Sequence, residues 1–185
     1  NIPVIFEVSN DLEIRRALKL QKELGFNIVL SGVTEVEKVI NEIKAANAIV
    51  LLALTLPEDK SKNKSEDLNE EAQGRTDRVK EAYETALKQA AMLEKAGIKF
   101  GFTTSGAKTS DLMKNIKIMI DNGLSEDAAL AALTINNAQN LGIQKFAGTL
   151  EKGKLANMVI TTAPIFTEDA QIKHVVADGY VFDYE

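Results

Sequence analysis

Four times in succession this sequence sets a short apolar run beside a helical, one-faced apolar pattern. The runs are 3–8 (PVIFEV), 27–31 (NIVLS), 48–54 (AIVLLAL) and 98–104 (IKFGFTT). The third has no polar residue at all. Apolar runs that do not alternate predict strands buried on both faces, which is the habit of parallel sheets. The helical stretches supply the crossovers that parallel strands require. Asp11 is expected to cap the first helix, which carries Ile14, Ala17, Leu18 and Leu24 and ends at Gly25. Thr34 is expected to open the second, with Val36, Val39, Ile40 and Ile43 at helical spacing. A long third helix aligns Val79, Ala82, Tyr83, Ala86, Ala90 and Leu93 and stops at Gly97; a fourth over 110–122 carries Leu112, Ile116, Met119 and Ile120. The pattern predicts an α/β fold. It fits either an open doubly wound sheet or part of a closed barrel.

Two segments depart from the repeat. Residues 57–77 are almost wholly polar and read as an exposed loop, a solvated insertion in preference to a lid. Beyond the fourth helix, Ser125 is expected to cap a helix running to about Asn136, with a short helix reaching Leu141. The remainder reads as β-structure, in which Asp178-Gly179 between apolar alternations is a hairpin signal.

Composition removes several chemistries. A net charge of -5 and a pI near 5.1 argue against nucleic acid or an anionic membrane as the main partner. Without cysteine there is no disulfide, thiolate nucleophile or cysteine-bound metal. No apolar run approaches the roughly 20 residues of a membrane span. A single histidine, His174, cannot by itself supply the two or more imidazoles usual in hydrolytic metal sites. It is expected to be a structural residue of the tail. Thr103-Thr104-Ser105-Gly106 has too little glycine for a phosphate cradle and reads as a strand end with small polar residues; Lys152 and Lys154 read as a solvated turn. The opening at Asn1-Ile2-Pro3, directly before a strand, suggests a processed product or a fragment.

Residues 123–160, GLSEDAALAALTINNAQNLGIQKFAGTLEKGKLANMVI, carry a more specific signal. They resemble the C-terminal signature of the amidohydrolase superfamily, a helix of the form GLS-x-x-x-ALxxLTxNxA-x-x-LG followed by G-x-L-E-x-GKxADxVV. Gly123, Ser125, Thr134, Asn136, Gly142, Gly148, Glu151, Gly153 and Lys154 are among the matches; Asn157 stands where the family usually has Asp. Val175-Val176-Ala177-Asp178-Gly179 is similar to its final strand. PVIFEVSNDLEIRRAL and AGIKFGFTTSG are similar to the fifth and eighth strands of imidazolonepropionase-like members. The resemblance implies a partial TIM barrel, strands five to eight with their helices over 1–146, including the polar loop 57–77. Residues 147–185 would be strands of a composite β-sandwich.

It also implies where chemistry would sit. The family places metal ligands at the C-terminal ends of barrel strands. Its His-x-His pair lies on strand one, which this chain does not contain. The remaining ligands, a His from strand five, a His from strand six and an Asp from strand eight, fall on Glu7, Ser31 and Ser105. Glu7 can ligate a metal, bind a cationic or hydroxyl-rich ligand, or pair locally with a Lys or Arg. Neutral hydroxyls at Ser31 and Ser105 are poor ligands, so zinc, expected in active members, is not expected in this chain. The implied function is a degenerate, non-catalytic module serving a structural or ligand-binding role beside an active one. The alternative is the C-terminal half of a metal-dependent hydrolase of non-peptide C–N bonds, with its histidines elsewhere. Completion by the remainder of a longer chain or by a second copy is expected, giving a homo-oligomer if the chain is isolated. The resemblance runs particularly to large bacterial proteins with two such modules, which implies an exported or periplasmic setting.

Overall fold

The computed structural model describes residues 3–59 and 70–184, with side chains described from residue 74 in the second stretch. Most of the polar insertion therefore lies outside the described residues. Contacts divide the chain into two compact units, 1–125 and 126–185. This criterion assigns the last two helices to the tail, whereas the barrel-and-sandwich reading of the sequence divides the chain at 146/147.

The first unit is built on β1 (Val4–Glu7), β2 (Ile28–Val33), β3 (Ile49–Ala53) and β4 (Phe100–Thr103), all parallel and ordered β1-β2-β3-β4. Register defines two faces. Phe6, Leu30, Val50 and Phe100 fall in one row, with Leu52 beside Phe102. Apart from the half-buried Phe6, these side chains are buried, and Leu30 and Val50 are fully so. Burial of this kind stabilises by about 1.5–3 kcal/mol for each large aliphatic side chain. The opposite face carries Glu7, Ser31, Leu51 and Gly101 in one row, with Ile5 beside Val29.

The helices follow the predicted pattern but not all of its boundaries. In α1 (Asp11–Leu24) the cap is Asn10, not Asp11. The Asn10 side chain accepts the Glu13 amide at 3.1 Å while the Glu13 carboxylate accepts the Asn10 amide at 3.5 Å, a capping box. Asp11 instead pairs with Arg15 one turn on. Helix α2 (Ile40–Ala45) starts well after Thr34. The Thr34 and Glu35 amides donate to the Ser9 carbonyl, and the Val36 amide donates to the Gln89 side chain at 2.5 Å. With these donors taken, the segment stays irregular, although Val36 and Val39 are fully buried as their spacing suggested.

Helix α3 (Glu70–Leu87) begins inside the stretch expected to be loop, so 70–77 is helical. Glu, Ala, Gln and Arg are good helix formers however polar they look. The expected single long helix divides at Lys88, before α4 (Gln89–Lys95). There the Thr85 carbonyl accepts the Lys88 amide and the Gln89 side chain. A 3-10 turn (Thr109–Asp111) leads into α5 (Leu112–Asp121).

The second unit contains α6 (Glu126–Leu133), α7 (Ile135–Asn140) and an antiparallel sheet of β5 (Met158–Thr161), β6 (Ile172–Ala177) and β7 (Tyr180–Asp183). The predicted hairpin joins β6 to β7, with Asp178 and Gly179 at φ 50° and 85°, as a type I′ turn requires. Gly148 has φ 97°, and a Cβ there would lie 2.7 Å from the Ala138 Cβ and 3.0 Å from the Ile135 Cα. Backbone contact with α7 leaves room for glycine alone.

Candidate functional site

The C-terminal side of the parallel sheet forms a rim that carries Glu7, Ser31 and Thr103, while β2 ends at Val33 and β3 at Ala53. Glu7 ends β1 and lies directly across from Ser31 in β2. Glu7 is exposed and Ser31 half-buried. Among the described residues Glu7 makes no ion pair, so the local Lys or Arg partner, one of the roles open to it, is not found. Ser105 stands beyond the end of β4, exposed, its amide donating to the Thr103 hydroxyl at 3.3 Å. The sheet therefore sets Glu7 and Ser31 side by side. Ser105 belongs to a strand separated from β2 by β3.

Loops behind this rim are fastened to one another. The Ser9 carbonyl takes both amides of Thr34-Glu35 and the Thr34 hydroxyl, joining the loop after β1 to the loop after β2. The Ser9 amide and hydroxyl donate to the Glu13 carboxylate at 2.8 and 3.0 Å. These bonds, the Ser9 amide first, hold the Glu13 carboxyl below the usual carboxylate range. On β3, the Leu54 amide donates to the Thr103 carbonyl, and Asn115 donates to the Leu54 carbonyl at 2.8 Å. The rim thus offers hydroxyls and one carboxylate on a tied frame. That chemistry suits hydrogen bonding to a polar ligand. No group of three or more His, Cys, Asp or Glu able to hold a metal ion occurs among the described residues.

A cleft of about 830 Å³ opens beside the ends of β2 and β3, between the loop after β2 and α3. Its apolar floor includes Val33, Leu52 and Met119, and Arg78, Tyr83 and Gln89 lie on its walls. Glu7, Ser31 and Ser105 do not line it. Sequence reasoning missed the cleft because its walls come from separate segments. One signal was present: Gln89, a polar residue one position before Ala90 in the buried stripe, is buried and spans the cleft wall to bond Val36.

His174 on β6 lies opposite Asp183 on β7, and its Nδ1 is 2.7 Å from the Asp183 carboxylate. The histidine is partnered within its own hairpin. Lys154 is less solvated than its turn suggested. Its side chain is 12% exposed, bonded to the Thr149 hydroxyl and 3.6 Å from Glu151. The Thr149 hydroxyl donates to Glu151 at 2.7 Å and, with Lys154, lowers the Glu151 carboxyl.

The amidohydrolase family model matches residues 27–181, most of the chain. The chain belongs to the amidohydrolase family. Glu7 lies outside the matched stretch; Ser31 and Ser105 lie inside it. The fold is similar to that of an amidohydrolase from Thermotoga maritima MSB8, with TM-score 0.79 and 21% identity over 99% of this chain and 44% of that one. It is similar to A. niger ochratoxinase at TM-score 0.66 and 21% identity, over 97% of this chain and 41% of that one. A prolidase complexed with N-methylphosphonate-L-proline matches at TM-score 0.66 and 16% identity, over 99% and 45%. This member of the amidohydrolase family thus spans less than half the length of these structures. No curated protein matches it.

Proposed function

We propose that this chain is a non-catalytic amidohydrolase-related domain with a structural or ligand-binding role beside an active module. The observation that carries the reading is the chemistry of the strand ends. Where the family resemblance puts His, His and Asp, this chain has Glu7, Ser31 and Ser105. Zinc is held by thiolate, imidazole or carboxylate, and hydroxyls at neutral pH do not replace them. The residues present therefore do not fit a zinc donor set, and no hydrolytic step is routed through one. The four strands are read as the second half of a (β/α)₈ barrel of the imidazolonepropionase-like branch, and β5–β7 as part of a β-sandwich completed by other strands. A bacterial, exported setting belongs to the same reading.

The second reading is a working hydrolase of non-peptide C–N bonds, with its histidines on strands outside this sequence. Its support is the family match over 27–181. Metal analysis separates the two. Purified in zinc-containing buffer and desalted, the chain is expected to carry far less than one zinc per molecule. One zinc per molecule, lost in Glu7→Ala, would overturn the non-catalytic reading.

A further inference from the structure

Helix α3 carries an apolar stripe that the core only partly takes up. Val79, Ala82, Tyr83 and Ala86 recur at helical spacing, yet Val79 is 41% exposed, Ala82 is exposed, and Tyr83 and Ala86 are half-buried. All four line the cleft of about 830 Å³. Across it lie Val33, Leu52 and Met119, side chains of the core. The strand residues among them come from β2 and β3, each paired on both sides, so the cleft is built without the outer strands of the sheet. Gln89 bonds the Val36 amide and the Thr85 carbonyl, which ties the loop after β2 to the end of α3 and fixes the width of the opening. The lip is charged and unbalanced: among the described residues, five carboxylates and two cations line the cleft. Asp11 pairs with Arg15. Glu35, Glu37, Glu58 and Glu81 make no ion pair among the described residues.

We propose that this cleft binds a small organic cation, an amine or guanidine carried on an apolar body. Its volume falls within the roughly 300–1,000 Å³ of small-molecule sites, and an apolar lining with a few polar groups is their usual make-up. The body of the ligand lies between the α3 stripe and the floor, and takes the exposed apolar surface of Val79 and Ala82 out of water. The Tyr83 ring adds an aromatic surface on which a cation can rest. The charged end stays at the lip among Glu35, Glu37, Glu58 and Glu81. Carboxylates gathered there repel one another and are relieved by a positive charge. An anion on the same body meets the surplus of like charge, and a neutral body gains the apolar contact alone. Binding here does not depend on whether the strand ends hold metal, so the zinc measurement and the one below fail separately.

The chain has no tryptophan, so naphthalene fluorescence is read without tryptophan emission beneath it. The anisotropy of 2-naphthylmethylamine titrated with the chain is expected to saturate. 2-Naphthylmethanol, the same body without charge, is expected to bind about tenfold more weakly, and 2-naphthoate more weakly still. Added salt should erode the advantage of the amine and leave the alcohol unchanged. Glu35→Gln together with Glu37→Gln is expected to bring the amine toward the alcohol while leaving the alcohol where it was. Ala82→Phe, which fills the slot from an exposed helix position, is expected to abolish binding of both. No saturable binding of the amine would overturn the proposal, as would three probes that bind alike. Amine binding untouched by the glutamine pair or by a folded Ala82→Phe chain would also overturn it, since the probe would then sit elsewhere. Should Ala82→Phe misfold, the glutamine pair and the comparison of the three probes still decide the matter.

Discussion

At the scale of single residues, the frame behind the strand ends depends on a few polar contacts. Asn10→Ala removes one half of the capping box and is expected to cost about 1 kcal/mol, read from urea unfolding. Glu13 adds a pH signature. Its folded carboxyl lies below the usual range because the Ser9 amide and hydroxyl bond the ionised form. Its contribution is therefore fully present above the unfolded carboxylate value and is lost as pH falls through the lower, folded value. The urea midpoint should drop with acidification below about pH 5, and Glu13→Gln should shallow that slope. A slope unchanged in the variant would show that other carboxylates govern it. Gln89→Leu leaves the buried Val36 amide without its acceptor and is expected to cost about 1–3 kcal/mol.

At the scale of elements, sequence patterning and final structure agree where burial is decisive and part where hydrogen bonds compete. The four parallel strands and the Asp178-Gly179 hairpin were legible because apolar runs and turn chemistry are local signals. The start of α2 was not, because it depends on Ser9 and on Gln89, the latter 53 residues away from Val36. Nor was the start of α3, where polar composition was read as loop despite strong helix formers. Of the site, Glu7 ends β1 as the apolar run suggested, whereas Ser31, expected to end its strand, is followed in β2 by Gly32 and Val33; their pairing across the sheet was not legible. The cleft beside them was not legible, being assembled from β2, β3 and α3. One element contact offers a sharp check. Gly148→Ala forces a Cβ against α7 at a positive φ and is expected to destabilise by about 1–3 kcal/mol, read from urea unfolding. Near-neutrality would show that α7 can yield there.

At the scale of the whole molecule, membership of the amidohydrolase family and a length under half that of similar structures define the problem. The family match is present, and the proposed non-catalytic reading rests on Glu7, Ser31 and Ser105 standing where the resemblance puts His, His and Asp. The most direct test is zinc itself. Calorimetric titration of the native chain with zinc is the measurement: the account predicts no stoichiometric binding, because one carboxylate and two hydroxyls do not make a zinc donor set. One zinc per molecule, lost in Glu7→Ala, would contradict it.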